Sequence, residues 1–89
     1  MNWKVVFSNN AAKQLSKMDS FTRKTIINWI KKNLLNCTNP RAYGTAFTGT
    51  KKDYWRYRVG SYRITADIKD NVITIEIISI GHRSIIYKQ

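Results

Sequence analysis

The apolar and polar positions of the chain follow three successive patterns, and each predicts a different kind of element. Trp3 to Phe7 is short, aromatic and β-branched, the composition of a strand, and Ser8-Asn9-Asn10 behind it supplies good helix N-cap residues. Ala11, Ala12, Leu15 and Met18 then recur at helical spacing, with Lys13, Gln14 and Lys17 on the other side. Asp19-Ser20 breaks this helix and caps the next. From Phe21 the set Ile26, Ile27, Trp29, Ile30 and Leu34 is again helical, with Arg23, Lys24, Lys31 and Lys32 on the remaining surface. The lysines of the last turns suit the negative end of the helix dipole, and turn chemistry from Asn36 to Pro40 ends the helix. Arg41 to Lys52 carries Gly44, Gly49 and several threonines, with Ala46 and Phe47 as its anchors, and reads as a loop with a short strand.

The rest of the pattern is strand. Tyr54 to Val59, Tyr62 to Lys69 and Val72 to Ile80 are separated by Gly60-Ser61 and Asp70-Asn71, pairs suited to two-residue hairpin turns. The order predicts an α+β fold, β-α-α-β-β-β, an antiparallel sheet with a helical hairpin packed on one face. Two-residue turns would pair Arg58 with Arg63 and Arg56 with Thr65 in the first hairpin, and Ile68 with Ile73 and Thr65 with Glu76 in the second. Alternation then puts Trp55, Tyr57, Val59, Ile64, Ala66, Ile68, Ile73, Ile75 and Ile77 on the face beneath the helices. Arg56, Arg58, Arg63, Thr65, Asp67 and Glu76 fall on the other.

Charge changes this picture more than composition does. Sixteen Lys+Arg against five Asp+Glu leave +11 on 89 residues, with 43% hydrophobic residues. That hydrophobic share predicts a folded domain over 1–89 rather than a disordered basic tail, so the charge decorates a folded surface and points to a polyanionic partner, nucleic acid first. A lone Cys37 and a lone His82 make neither an internal disulfide nor a structural zinc site of the usual kind. The apolar run Val5 to Phe7 is too short for a signal-peptide core or a membrane span, and both helices spend their apolar faces on the core, so the expectation is a cytoplasmic protein with no membrane role.

The candidate chemistry lies on the arginine face. Like charges directly opposite each other across two strands repel by some tenths of a kcal/mol, and a phosphodiester would satisfy both Arg58 and Arg63. Glu76 sits on the diagonal from Arg63, where a structural salt bridge to Arg63 or Arg56 is its simpler role. Gly81-His82-Arg83-Ser84-Ile85-Ile86-Tyr87 follows the last strand and is expected to bring an imidazole, a fixed cation and a phenol to the same end of the sheet.

YWRYRVGSYRI at 54–64, VITIEIISI at 72–80, GHRSIIY at 81–87, and the opening W-x-V-x-F-S followed by A-x-K-Q-L-x-K-M-D together resemble the RelE/ParE superfamily, and within it the RelE-type toxins of bacterial type II toxin-antitoxin pairs. The resemblance spans almost the whole chain and implies a small α+β, RelE-like toxin domain that enters the ribosomal A site and cuts mRNA. The implied reaction is attack of the 2′-hydroxyl on the adjacent phosphate, leaving a 2′,3′-cyclic phosphate and a 5′-hydroxyl, with no metal or other cofactor. The implied partners are a cognate antitoxin, in a hetero-oligomer that silences the toxin, and mRNA on the 70S ribosome with contacts to 16S rRNA.

Carried onto this sequence, Arg63 and Arg83 are phosphate clamps, Arg58 stabilises the phosphorane and Tyr87 orients the nucleotide; Arg56, Lys51 and Lys52 add to RNA binding. Where the best-studied RelE pattern has lysines this chain has Arg56 and Arg58, and a guanidinium does not serve as a base. An imidazole titrates near neutrality, which makes His82 the substitute acid or base. Two other readings stand beside this one: a ParE-like poison of DNA gyrase with the same fold, and a basic binding module without turnover.

Overall fold

The computed structural model describes residues 2–47 and 54–82. Strand β1 (Lys4–Phe7) leads into helices α1 (Asn9–Ser16) and α2 (Ser20–Asn33). A 3-10 turn at Pro40–Ala42 precedes β2 (Thr45–Phe47), β3 (Tyr54–Val59), β4 (Tyr62–Lys69) and β5 (Thr74–His82). Both helices start where the sequence places their caps. Ser8 Oγ accepts from Ala11 N at 3.0 Å, and Asp19 takes both the Thr22 N–H, at 3.0 Å, and its hydroxyl, at 2.7 Å. The Arg23 guanidinium reaches back to Leu15 O at 3.2 Å and Met18 O at 3.0 Å, so α2 ties itself to carbonyls at the end of α1.

The expected β-α-α-β-β-β architecture is present, with the short strand anticipated in the loop as β2. The strand order is β1-β5-β4-β3-β2. One pairing departs from the antiparallel expectation: β1 runs parallel to β5, Val5 against Ile75 and Phe7 against Ile77. The helical hairpin between them returns the chain to the same end before the sheet is continued, so a first strand added beside the last one lies parallel to it. Ala11 and Leu15 of α1, and Ile26, Ile30 and Leu34, pack on Tyr57, Val59, Ile64, Ala66, Ile75, Ile77 and Ile80. Each fully buried isoleucine in this layer contributes about 1.5–3 kcal/mol. Among the described residues no helix is long and apolar enough to cross a membrane.

The first hairpin has the anticipated register, Val59 opposite Tyr62 and Arg58 opposite Arg63. The second does not. Its connection is a 3-10 turn at Asp70–Val72 followed by Ile73 at φ 49°, so Ile68 meets Ile75 rather than Ile73. A shift of two preserves the faces, which is why the sorting of inner and outer side chains survives it. A β-bulge then intervenes: Ala66 pairs with Ile77 but Thr65 with Ser79, leaving Ile78 as the extra residue. The bulge inverts the alternation beyond it. Ile80, only 1% exposed, turns into the core, and His82 lands opposite Tyr62.

Candidate functional site

Side-chain parity places Arg56, Arg58, Arg63, Thr65, Asp67 and Glu76 on the face away from the helices, as the sequence reading has it. Their environments differ sharply. Arg58 is exposed, Arg56 is half-buried, and Arg63 is only 5% exposed. Arg63 lies between Arg58 on one neighbouring strand and Gly81, which has no side chain, on the other. The Arg56 guanidinium sits 4.1 Å above the Phe47 ring, a cation–π contact across the β2–β3 ladder. Its Nε is buried without a hydrogen-bond partner among the described residues.

These three arginines line a cleft of about 320 Å³ with Gly44, Thr45 and Tyr57. The wall opposite the arginines is held by aromatic anchors. Tyr57 OH donates to Pro40 O at 2.6 Å and Trp55 Nε1 to Tyr43 O at 2.6 Å, while Trp29 packs against both Tyr43 and Tyr57. Burial pushes the Tyr57 phenol well above its usual range, so it stays a donor. Arg41 fixes the same segment from outside through a two-pronged pair to Asp70, at 3.0 and 2.9 Å, which holds the Asp70 carboxyl below its ordinary value. Gly44, at φ 78°, fits where no side chain would: a Cβ there would stand 2.3 Å from the Arg56 carbonyl oxygen. Sequence reading gave Gly44, Thr45 and Tyr57 no part in the site. The signal available was a glycine between aromatics, which does not say what it packs against.

Two expectations are corrected here. His82 does not join the arginines. Its ring lies 5.3 Å from that of Tyr62, nearly perpendicular to it, and Tyr62 is packed against the core beneath the helices, so the imidazole is on the opposite face of the sheet. The cause is the bulge at Ile78, since uninterrupted alternation would have put His82 on the side of Glu76. Glu76, in turn, bonds neither Arg63 nor Arg56 in a salt bridge but meets Lys69 at 3.1 Å. Asp67, the other carboxylate of the arginine face, is four residues along β4 from Arg63, roughly 13 Å of strand. Arg83, Tyr87, Lys51 and Lys52 lie outside the described residues. Among the described residues no cluster of three or more His, Cys, Asp or Glu side chains could hold a metal ion.

Comparison with known proteins adds to this geometry. The family model of the ParE toxin of the type II toxin-antitoxin system parDE matches residues 5–87. No curated protein sequence matches the chain. Among solved structures, the chain is similar to the RelBE2 toxin-antitoxin complex from Mycobacterium tuberculosis, with a TM-score of 0.82 at 21% identity over 94% of each chain. It is also similar to the archaeal RelE-RelB complex from Pyrococcus horikoshii OT3, at 0.73 and 21%, covering 93% of this chain and 97% of that one. The RelB-RelE antitoxin-toxin complex from Methanococcus jannaschii gives 0.65 and 26%, covering 92% and 94%. These likenesses are of fold.

Proposed function

This chain belongs to the ParE toxin family of type II toxin-antitoxin systems, within the RelE/ParE superfamily, and from that premise we propose that it is a toxin acting by binding and poisoning DNA gyrase. The observation that carries this reading is the separation of His82 from Arg58 and Arg63 by the thickness of the sheet. The described arginine face then offers cations that suit phosphate but no imidazole beside them to move a proton. Such a face suits docking on a DNA-bound enzyme, with the net charge of +11 raising the rate of encounter with a polyanion. The test is a supercoiling and cleavage assay with gyrase and the purified full-length chain. Accumulating double-strand breaks, reduced by Arg58→Ala and untouched by His82→Ala, support it. Intact DNA alongside message cut only when translated would reject it.

A second reading, the ribosome-dependent ribonuclease, is favoured by the cleft itself. Arg56, Arg58 and Arg63 around about 320 Å³ form a cationic recess that accepts a phosphodiester and would stabilise a phosphorane. In this reading Arg63 and Arg83 clamp the phosphate, Tyr87 orients the nucleotide, and Lys51 and Lys52 hold RNA. The base must then be a group other than His82. Primer extension on mRNA in a cell-free translation system separates the two: cuts lost with Arg63→Ala but kept with His82→Ala would favour the nuclease without an imidazole base.

Either target requires restraint by a partner, and the fold offers a receptor for a cognate antitoxin. Val5 and Phe7 of the edge strand face Ile27, Ile30 and Leu35 across an apolar groove bordered by Lys31. An amphipathic, acidic antitoxin segment would bury its apolar side there and meet the lysine with the other. Co-expression with the neighbouring gene product should restore growth, and Phe7→Asp in the toxin should weaken that rescue. A toxin equally active with that product bound would exclude this mode of control.

A further inference from the structure

The polar side of α1 is put to use where β1 runs out. The parallel ladder ends with Ser8 N donating to Ile77 O at 2.9 Å. Beyond that point the backbone of β5 is met by side chains. Ser8 Oγ donates to Ile78 O at 2.7 Å, Asn10 Nδ2 to the same carbonyl at 3.4 Å, and the Ile80 N–H donates to Gln14 Oε1 at 2.6 Å. The three bonds hold the carbonyl of Ile78, the residue that the bulge inserts, and the N–H of Ile80 two residues beyond it.

We propose that Gln14, aided by Ser8, is a positioning residue that holds the β5 bulge and so decides which face of the sheet presents His82. A one-residue insertion inverts the parity of every side chain beyond it. With the bulge, Ile80 is buried and the His82 ring packs on Tyr62. Without it, Ile80 would leave the core and the imidazole would fall among the arginines. Burial of Ile80 favours the bulged register, but burial is not directional; the acceptor on Gln14 is. Its neighbours on the outer side of the helix, Lys13 and Lys17, carry only donors and could not meet an N–H. The oxygen also satisfies a part-buried backbone group of β5 at a place where no strand does. The role is independent of whether gyrase or message is the target, because it concerns the register of β5.

The experiment is solution NMR on the isotopically labelled full-length chain, comparing wild type with Gln14→Leu, Gln14→Glu and Ser8→Ala. In the wild type the His82 and Tyr62 rings should show mutual nuclear Overhauser effects and the Ile80 amide should be protected from exchange. In Gln14→Leu the ring contacts should be lost and exchange at Ile80 should speed by about tenfold, the scale of one lost hydrogen bond. Gln14→Glu keeps an acceptor and should retain both signals, which a purely steric role for the side chain would not explain. Ser8→Ala should weaken the ring contacts in the same direction. Ring contacts unchanged in Gln14→Leu, or lost equally in Gln14→Glu, would overturn the proposal. Should Gln14→Leu fail to fold, the wild type and Gln14→Glu decide: an Ile80 amide exchanging as freely as an exposed loop in the wild type, or losing its protection in Gln14→Glu, overturns the proposal, and protection in both upholds it.

Discussion

The two faces of one sheet are built on opposite rules. Beneath the helices, Ile64, Ala66, Ile75 and Ile77 are completely buried, and the one phenol among them, Tyr57, has its hydroxyl bonded to Pro40 O. On the open face two arginines stand directly opposite each other, and a third lies across an aromatic ring. The covered face minimises uncompensated polarity and sets stability. The open face places like charges side by side, Arg58 directly opposite Arg63. The difference teaches that strand alternation alone, applied to YWRYRVGSYRI, writes both a core face and an arginine face into eleven successive residues.

The contrast can be broken at several strengths. Ile77→Ala removes a fully buried side chain between the sheet and the helices and should cost about 2–5 kcal/mol in denaturant unfolding. Gly44→Ala attacks the seam where the loop meets the sheet; the contact with the Arg56 carbonyl and the positive φ should cost about 2–4 kcal/mol and deform the cleft as well. Tyr57→Phe keeps the ring and removes the bond to Pro40, for a loss of about 1–2 kcal/mol.

Tyr57 also gives a pH signature with a definite sign. Its folded pKa is raised by burial, so its contribution is complete below the ordinary tyrosine value of about 10 and is lost as pH rises from there through the folded value. Tyr57→Phe should flatten that part of an alkaline stability profile. The smallest effect is the sharpest test of the comparison. Arg58→Ala should leave stability unchanged or raise it by some tenths of a kcal/mol, by relieving the cross-strand repulsion, while abolishing toxicity in a growth assay. A clear loss of stability there would mean that the arginine face is structural.

Much of this was legible in the sequence, and the parts that were not share a cause. Gly60-Ser61 fixes a two-residue turn, so the register of β3 on β4 and the grouping of the arginines follow from local chemistry. The caps at Ser8 and Asp19 are local too. The bulge is not. Ile77-Ile78-Ser79-Ile80 is apolar at successive positions and carries no period that marks which residue is extra. What selects it comes from Ser8 and Gln14, more than sixty positions earlier in the chain. The same distance hid the parallel pairing of β1 and the displacement of His82. Glu76 falls beside Lys69 rather than an arginine because the connection from β4 to β5 is two residues longer than the pair Asp70-Asn71 suggests.

The parallel pairing of β1 with β5 also sets a clock on the making of the protein. Val5 is among the first residues to leave the ribosome, yet its partner Ile75 is made seventy positions later, about 4–14 s at ordinary elongation rates of about 5–20 residues per second. Until then the nascent chain has helices and hairpins but no closed sheet, and the arginine face has no fixed backing. A sheet wired in this way cannot assemble as a whole until β5 has been made, because β5 is the strand that joins β1 to β4. The order of synthesis therefore delays the packing of Ile75, Ile77 and Ile80 on the helices to the last stage of folding.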